Sequence, residues 1–233
     1  MVFKNRQEAG KKLATKLLSH LVIEPLSNKQ SLLLRNKQSL LLRNKIIILA
    51  IPRGGVIVGR ELSKALNRPL DVIITKKIGA PGNPELAIGA VGSFDYAQGE
   101  PVIDEELAGR VGADEKYLKS QIARLRIEVD RRIKEYHGDK PPLELKNKVV
   151  IITDDGVATG ATIMAAIEIA RQQNPKKIIV AVPVIAKDTL EKIESLADEV
   201  VFLDAPEMFF AVGQFYQNFS QVTDEEVRKI LSN

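Results

Sequence analysis

Apolar residues along this chain alternate between helical spacing and short unbroken runs. Ala9, Leu13, Leu17 and Leu21 recur every four residues behind Asn5 and Glu8, which predicts an opening helix with a capping box. Ile46 to Ile51 is a run of six apolar residues, the size of a buried strand. Val56 to Leu66 then predicts a helix and Asp71 to Thr75 a strand. Leu118, Ile122, Leu125, Val129, Ile133 and Tyr136 form one face of a long helix opening at Asp114. Beyond it the pattern predicts a strand over Val149–Thr153, a helix over Ala161–Gln172 and a strand over Lys177–Val182. A helix capped by Asp188 and Glu191 follows, then a strand over Val200–Leu203 and a last helix capped by Thr223 and Glu226.

Strands separated by helices predict an α/β fold. The expectation is a single domain over residues 1–233, with a mostly parallel central sheet, helices on both faces and ligands at the carboxyl ends of the strands. Two stretches interrupt the pattern. KKIGAPGNPELAIGAVG, with Gly79, Gly82, Gly89, Gly92, Pro81 and Pro84, predicts a mobile loop leading into a short strand. NKQSLLLR occurs twice in tandem, over Asn28–Arg35 and Asn36–Arg43. Two copies are too few for a solenoid, so residues 28–43 are expected to be a duplicated insert in a connecting segment.

Composition narrows the chemistry. The absence of cysteine removes disulfides and thiolate metal sites, and two histidines, His20 and His137, leave little room for imidazole chemistry. No apolar run approaches a membrane span, and the first twenty residues lack an apolar signal core, so the expected location is the cytoplasm without membrane contact. A net charge of +4 and a pI near 9.1 suit an anionic ligand. Nucleic acid is not expected as a partner, because only 5% of residues are aromatic and the basic residues are interleaved with acids.

The most informative stretch is VVIITDDGVATGAT, residues 149–162. A buried strand ends in two carboxylates, Asp154 and Asp155, and a loop of small and hydroxyl residues follows at once: Gly156, Val157, Ala158, Thr159, Gly160, Ala161 and Thr162. Such a loop brings backbone N–H groups and a helix N-terminus towards an anion. It lacks the lysine of a Walker loop. Carboxylates repel phosphate but accept hydrogen bonds from vicinal hydroxyls, so the pair and the loop together point to a sugar phosphate.

These residues resemble the phosphoribosyl diphosphate (PRPP) signature of the type I phosphoribosyltransferases. The resemblance implies a core over about 46–204, a flexible lid loop, and a C-terminal hood over about 205–222 to which the N-terminus contributes. It also implies transfer of a 5-phosphoribosyl group from PRPP to a nitrogenous base, with release of diphosphate. In that family Arg53, Gly54 and Gly55 would form the diphosphate loop, and Lys76 or Lys77, with Lys77 favoured, would face the diphosphate. The segment after Lys77 would be the lid. Phe210 would stack on the base, and Ala211 would present backbone groups to its edge. Asp154 and Asp155 would hold the ribose hydroxyls. Mg2+ would be carried mainly on PRPP oxygens, with Asp154 and Asp155 reaching it through water. Similar enzymes often pair, so the resemblance is compatible with a homodimer. Gln217 stands where purine members carry an acid, and the acceptor base stays open. The alternative is a regulatory protein that keeps the fold to sense PRPP or nucleotides.

Overall fold

A computed structural model describes residues 1–22, 45–93, 100–138 and 143–232. The NKQSLLLR repeats lie outside the described residues. The elements in order are α1 (Arg6–Val22), β1 (Ile46–Ala50), α2 (Gly54–Leu66), β2 (Leu70–Val72), β3 (Ile74–Ala80), β4 (Asn83–Ser93) and β5 (Val102–Ile103). They continue with α3 (Glu105–Arg110), α4 (Glu115–His137), β6 (Val149–Thr153), α5 (Ala161–Arg171), β7 (Lys177–Val184), α6 (Lys187–Glu194) and β8 (Glu199–Asp204). A 3-10 turn (Val212–Phe215) and α7 (Asp224–Leu231) complete the described elements.

Five strands form a parallel sheet in the order β2-β1-β6-β7-β8. Side-chain alternation along each strand decides what each face buries. Ile47, Leu49, Val150, Ile152, Ile178 and Val180 pack on Ile163, Ile167 and Ala170 of α5. Ile46, Ile48, Val149, Ile151 and Ile179 point the other way, onto Leu13 and Leu17 of α1 and Val58 and Leu62 of α2. The expected α/β architecture, with helices on both faces, is therefore observed. The central strands β1 and β6 end level, Ala50 beside Thr153, so the loops that follow them meet, while β7 runs on past Ala181 to Val184.

The structure differs from expectation over residues 74–93. The glycine- and proline-rich segment is a long antiparallel ribbon of β3 and β4, not a loop, and β5 adds a third strand. Pro81 and Gly82 make the two-residue turn, and Gly82 takes the positive φ of +73° that a side chain disfavours. Long-range packing supplies the rest: Ile74, Ile78, Ile88 and Val91 are buried against Val129 and Ile133 of α4. The Tyr117 hydroxyl donates to Gly79 O at 2.9 Å and fixes the ribbon's outer part to that helix.

Helix caps follow local chemistry with two departures. Asp114 Oδ1 accepts from Tyr117 N–H, and Thr223 and Glu226 exchange both capping-box bonds, as expected. Asn5 Oδ1 accepts from Glu8 N–H, but the Glu8 carboxylate takes the Lys4 N–H in place of that of Asn5. Helix α6 opens after Ala186 with no side-chain cap, and Asp188 lies inside its first turn. Among the described residues, no helix is long and apolar enough to cross a membrane.

Candidate active site

The site is built where β1 and β6 end side by side. Pro52-Arg53-Gly54-Gly55 leaves β1 and meets Asp154-Asp155 leaving β6. The Pro52–Arg53 peptide bond is cis. A Cβ on Gly55 would fall 2.8 Å from Asp154 Cα, and one on Gly54 would fall 1.9 Å from Asp155 Oδ2. Only glycine lets the two loops lie this close.

The two acids have unequal surroundings. Asp155 is buried, and its Oδ2 accepts from Arg6 Nε at 2.6 Å. Arg6 also donates from Nη1 to Ser220 O at 2.8 Å, and its guanidinium lies 3.8 Å from the centre of the Phe219 ring. The Tyr216 hydroxyl donates to Asp155 O. Asp154 is half-buried, and its Oδ1 accepts from Asp155 N–H at 2.8 Å. Burial and the neighbouring Asp155 charge push the Asp154 carboxyl well above the usual range. Burial raises Asp155 as well, and the Arg6 guanidinium opposes that rise.

Sequence reasoning missed Arg6. One signal was available: a cation in the first turn of α1 sits at the unfavourable positive end of the helix dipole, which calls for an anion beside it.

After the acids, Val157 N–H is already used, donating to Val184 O at 2.9 Å. Thr189 Oγ1 donates to Ala158 O at 2.6 Å and braces the turn against α6. The N–H groups of Ala158, Thr159, Gly160, Ala161 and Thr162 have no acceptor among the described residues, and α5 begins there. Gly160 takes the left-handed φ of +77° that turns this edge of the loop. The expected anion loop is thus narrower than residues 156–162, since its first part is bound into the sheet.

Arg53 lies at the start of α2, with Nη1 3.7 Å from Asp224 Oδ2. Lys76 and Lys77 lie within β3 rather than at a strand end. Lys76 Nζ is 3.6 Å from Glu128 on α4, and Lys77 Nζ is 2.8 Å from Glu85 on β4. In the segment 205–222, Phe210 is 85% exposed, whereas Phe215 and Tyr216 are buried with Phe3, and Phe209 packs on Phe215. The Ala211 N–H, expected to face a base, donates instead to Gln214 Oε1 at 3.2 Å. The first residues are knitted into this segment: Phe3 N–H donates to Phe215 O and Gln217 N–H to Phe3 O.

Residues 31–219 match the family model of the phosphoribosyl transferase domain. The chain belongs to this family. A Mycobacterium tuberculosis (strain ATCC 25618 / H37Rv) protein named "Putative phosphoribosyl transferase Rv0571c" is 35% identical over 226 residues, and a counterpart from strain CDC 1551 / Oshkosh is equally similar. The alignment covers 97% of this chain and 45% of each relative, so the chain spans about half the length of the curated relatives it matches. The crystal structure of TT1426 from Thermus thermophilus is 38% identical and superposes with a TM-score of 0.78, over 99% of this chain and 98% of that one. Arg6 and Asp224 both fall outside the matched family span, although they contact Asp155 and Arg53 inside it.

Proposed function

We propose that this phosphoribosyltransferase-family chain transfers a 5-phosphoribosyl group from PRPP to a nitrogenous base. The observation that carries the reading is the convergence of three groups at adjacent strand ends: the Arg53-Gly54-Gly55 turn, the acid pair, and the unpaired N–H groups from Ala158 to Thr162. The last of these suits the 5-phosphate, at a helix N-terminus. Asp154, the less enclosed acid, accepts from the ribose hydroxyls, while Asp155, already held by Arg6, fixes the loop that carries it. Arg53 and the backbone beside it face the departing diphosphate.

In this reaction the C1'–O bond to diphosphate breaks, a bond from a base nitrogen to C1' forms, and a proton leaves that nitrogen. Positive charge grows on the ribose ring and negative charge on the diphosphate, so carboxylates near the ring and cations near the leaving group both favour the transition state. Asp154, the less enclosed acid, has hard carboxylate oxygens that would hold a magnesium ion through its waters. Bound in that way, magnesium supplies counter-charge to the diphosphate. Phe210, the exposed ring of the 205–222 segment, offers a stacking face to the base.

A PRPP-sensing role is the second reading, favoured by the engagement of Asp155 with Arg6, which leaves one acid for the ligand. One experiment tests both. Calorimetry with PRPP and magnesium is followed by a diphosphate-release assay over a panel of purines and pyrimidines. Binding that is lost in Asp154→Asn, together with base-dependent diphosphate release, supports the transferase. Binding without release for any base supports the sensor. Unaltered PRPP binding in Asp154→Asn would sink the site itself.

A further inference from the structure

Away from the acid pair, a cleft of about 460 Å³ opens at the far end of α2. Helix α2 starts at Gly54 beside Asp155, and Ser63 and Lys64 near its other end line the cleft, about 15 Å along the axis at 1.5 Å per residue. The volume is in the range of small-molecule sites.

Its lining is strongly asymmetric in charge. Among the described residues, Arg60, Lys64 and Arg68 stand against a single lining carboxylate, Asp71. That acid is already engaged: Asp71 Oδ1 lies 2.7 Å from His137 Nε2 and accepts from Val72 N–H at 2.8 Å. Arg60 Nε has Glu61 at 3.4 Å, but Lys64 and Arg68 make no ion pair with a described residue. The Arg68 Nε is shielded from solvent and has no hydrogen-bond partner among the described residues. A buried donor left unmatched is costly, and an anion in the cleft would satisfy it. Tyr136, Leu143 and Leu231 contribute apolar surface to the same cleft.

We propose that this cleft binds a small organic phosphate, with its phosphate on Lys64 and Arg68 and its apolar part against Tyr136 and Leu143, and that occupancy is felt at Arg53. The connection is a single carboxylate. Tyr136, a lining residue, donates its hydroxyl to Asp224 Oδ1, and Asp224 Oδ2 faces Arg53 Nη1 at 3.7 Å. A ligand packed on the Tyr136 ring therefore acts on the group that holds the Arg53 side chain. The binding half of the inference stands independently of the transferase reading.

The test is a nuclear magnetic resonance titration of the isotope-labelled full chain with adenosine monophosphate and, separately, inorganic phosphate. Saturable shifts at Lys64, Arg68 and Tyr136 are expected, with a Kd at least tenfold higher in Arg68→Gln/Lys64→Gln and near the wild-type value in Arg68→Lys and Asp154→Asn. Inorganic phosphate is expected to bind more weakly at the same residues, because it leaves the apolar wall uncovered. Adenosine monophosphate also carries the 5-phosphate proposed for residues 158–162, so coupling is read as the part of the Arg53 shift that titrates with the cleft Kd, which should be lost in Arg68→Gln/Lys64→Gln. Both substituted residues are at least partly exposed, and matching melting curves establish that the double variant is folded. Shifts confined to residues 53–55 and 154–162, or an unchanged Kd in the double variant, overturn the cleft as a site. Cleft binding with a silent Arg53 overturns the coupling.

Discussion

Arg6 and Asp155, 149 residues apart in the chain, form a buried ion pair with Nε and Oδ2 at 2.6 Å. It joins the first turn of α1 to the second acid of the candidate site. The Phe219 ring covers the guanidinium, so the pair is enclosed from that side as well.

Arg6→Gln leaves a buried carboxylate without its counter-charge, a change that costs about 3–5 kcal/mol in such pairs. A loss of unfolding free energy of that size is expected from urea titration, with Arg6→Lys falling between. An unfolding free energy within about 1 kcal/mol of wild type would mean that Asp155 finds another partner or protonates at little cost.

Asp154→Asn is expected to raise the melting temperature at pH 7 while weakening PRPP binding at least tenfold. The charge at this position is disfavoured by burial and by Asp155, and asparagine keeps an oxygen to accept the Asp155 N–H. A scanning-calorimetry trace with a lower midpoint would contradict the account of the acid pair.

Gly54→Ala places a methyl group 1.9 Å from Asp155 Oδ2 and 2.9 Å from Arg6 Nε. The pair must separate or the β1 loop must withdraw, at about 1–3 kcal/mol for overpacking. Both lower stability and lost PRPP binding are expected, read by denaturant unfolding and calorimetry.

Glu128 is held down to about 2 by hydrogen bonds from Arg131 and Arg132. A lowered folded-state value means that its stabilisation is present above the unfolded-state value of about 4.5 and is lost as pH falls towards 2. Wild type and Glu128→Gln should therefore differ in urea midpoint at pH 7 and converge as pH drops through that window. The gap should be small, since the group is partly exposed and solvent screens it. A gap that widens on acidification would reverse the sign argued here.

Phe210→Ala removes an exposed ring and should change stability by no more than about 0.5 kcal/mol. Its effect should appear as a higher KM for the base with PRPP affinity unchanged. Phe215→Ala, by contrast, empties a buried position and should cost about 3–5 kcal/mol.

The parallel sheet was legible because its strands are short, apolar and separated by well-patterned helices, and Val149–Thr153 was read to the residue. The turn after the acids was legible from its glycines and threonines, but not that Val157 would be paired to Val184, since that depends on a neighbouring strand. The β3–β4 ribbon was misread because local glycine and proline content reports turn chemistry, whereas burial of Ile74, Ile78, Ile88 and Val91 on α4 is a long-range property. The partners of Arg6 were not legible for the same reason: the helix-dipole signal calls for an anion but does not name it, and its acceptors lie 149 and 214 residues away. Lys76 and Lys77 were expected just past a strand over Asp71–Thr75 but lie inside β3, and their carboxylate neighbours come from α4 and from the ribbon's other strand.

The stitching of Phe3 to Phe215 and Gln217 carries a consequence for biosynthesis. Helix α1 is synthesised before the 205–222 segment, so its cation cannot gain the Ser220 carbonyl or the Phe219 ring until those residues have followed it. A chain arrested before that point can assemble its sheet and still leave the acid-bearing turn uncovered, so enclosure of the second acid comes after the strands that carry it have paired.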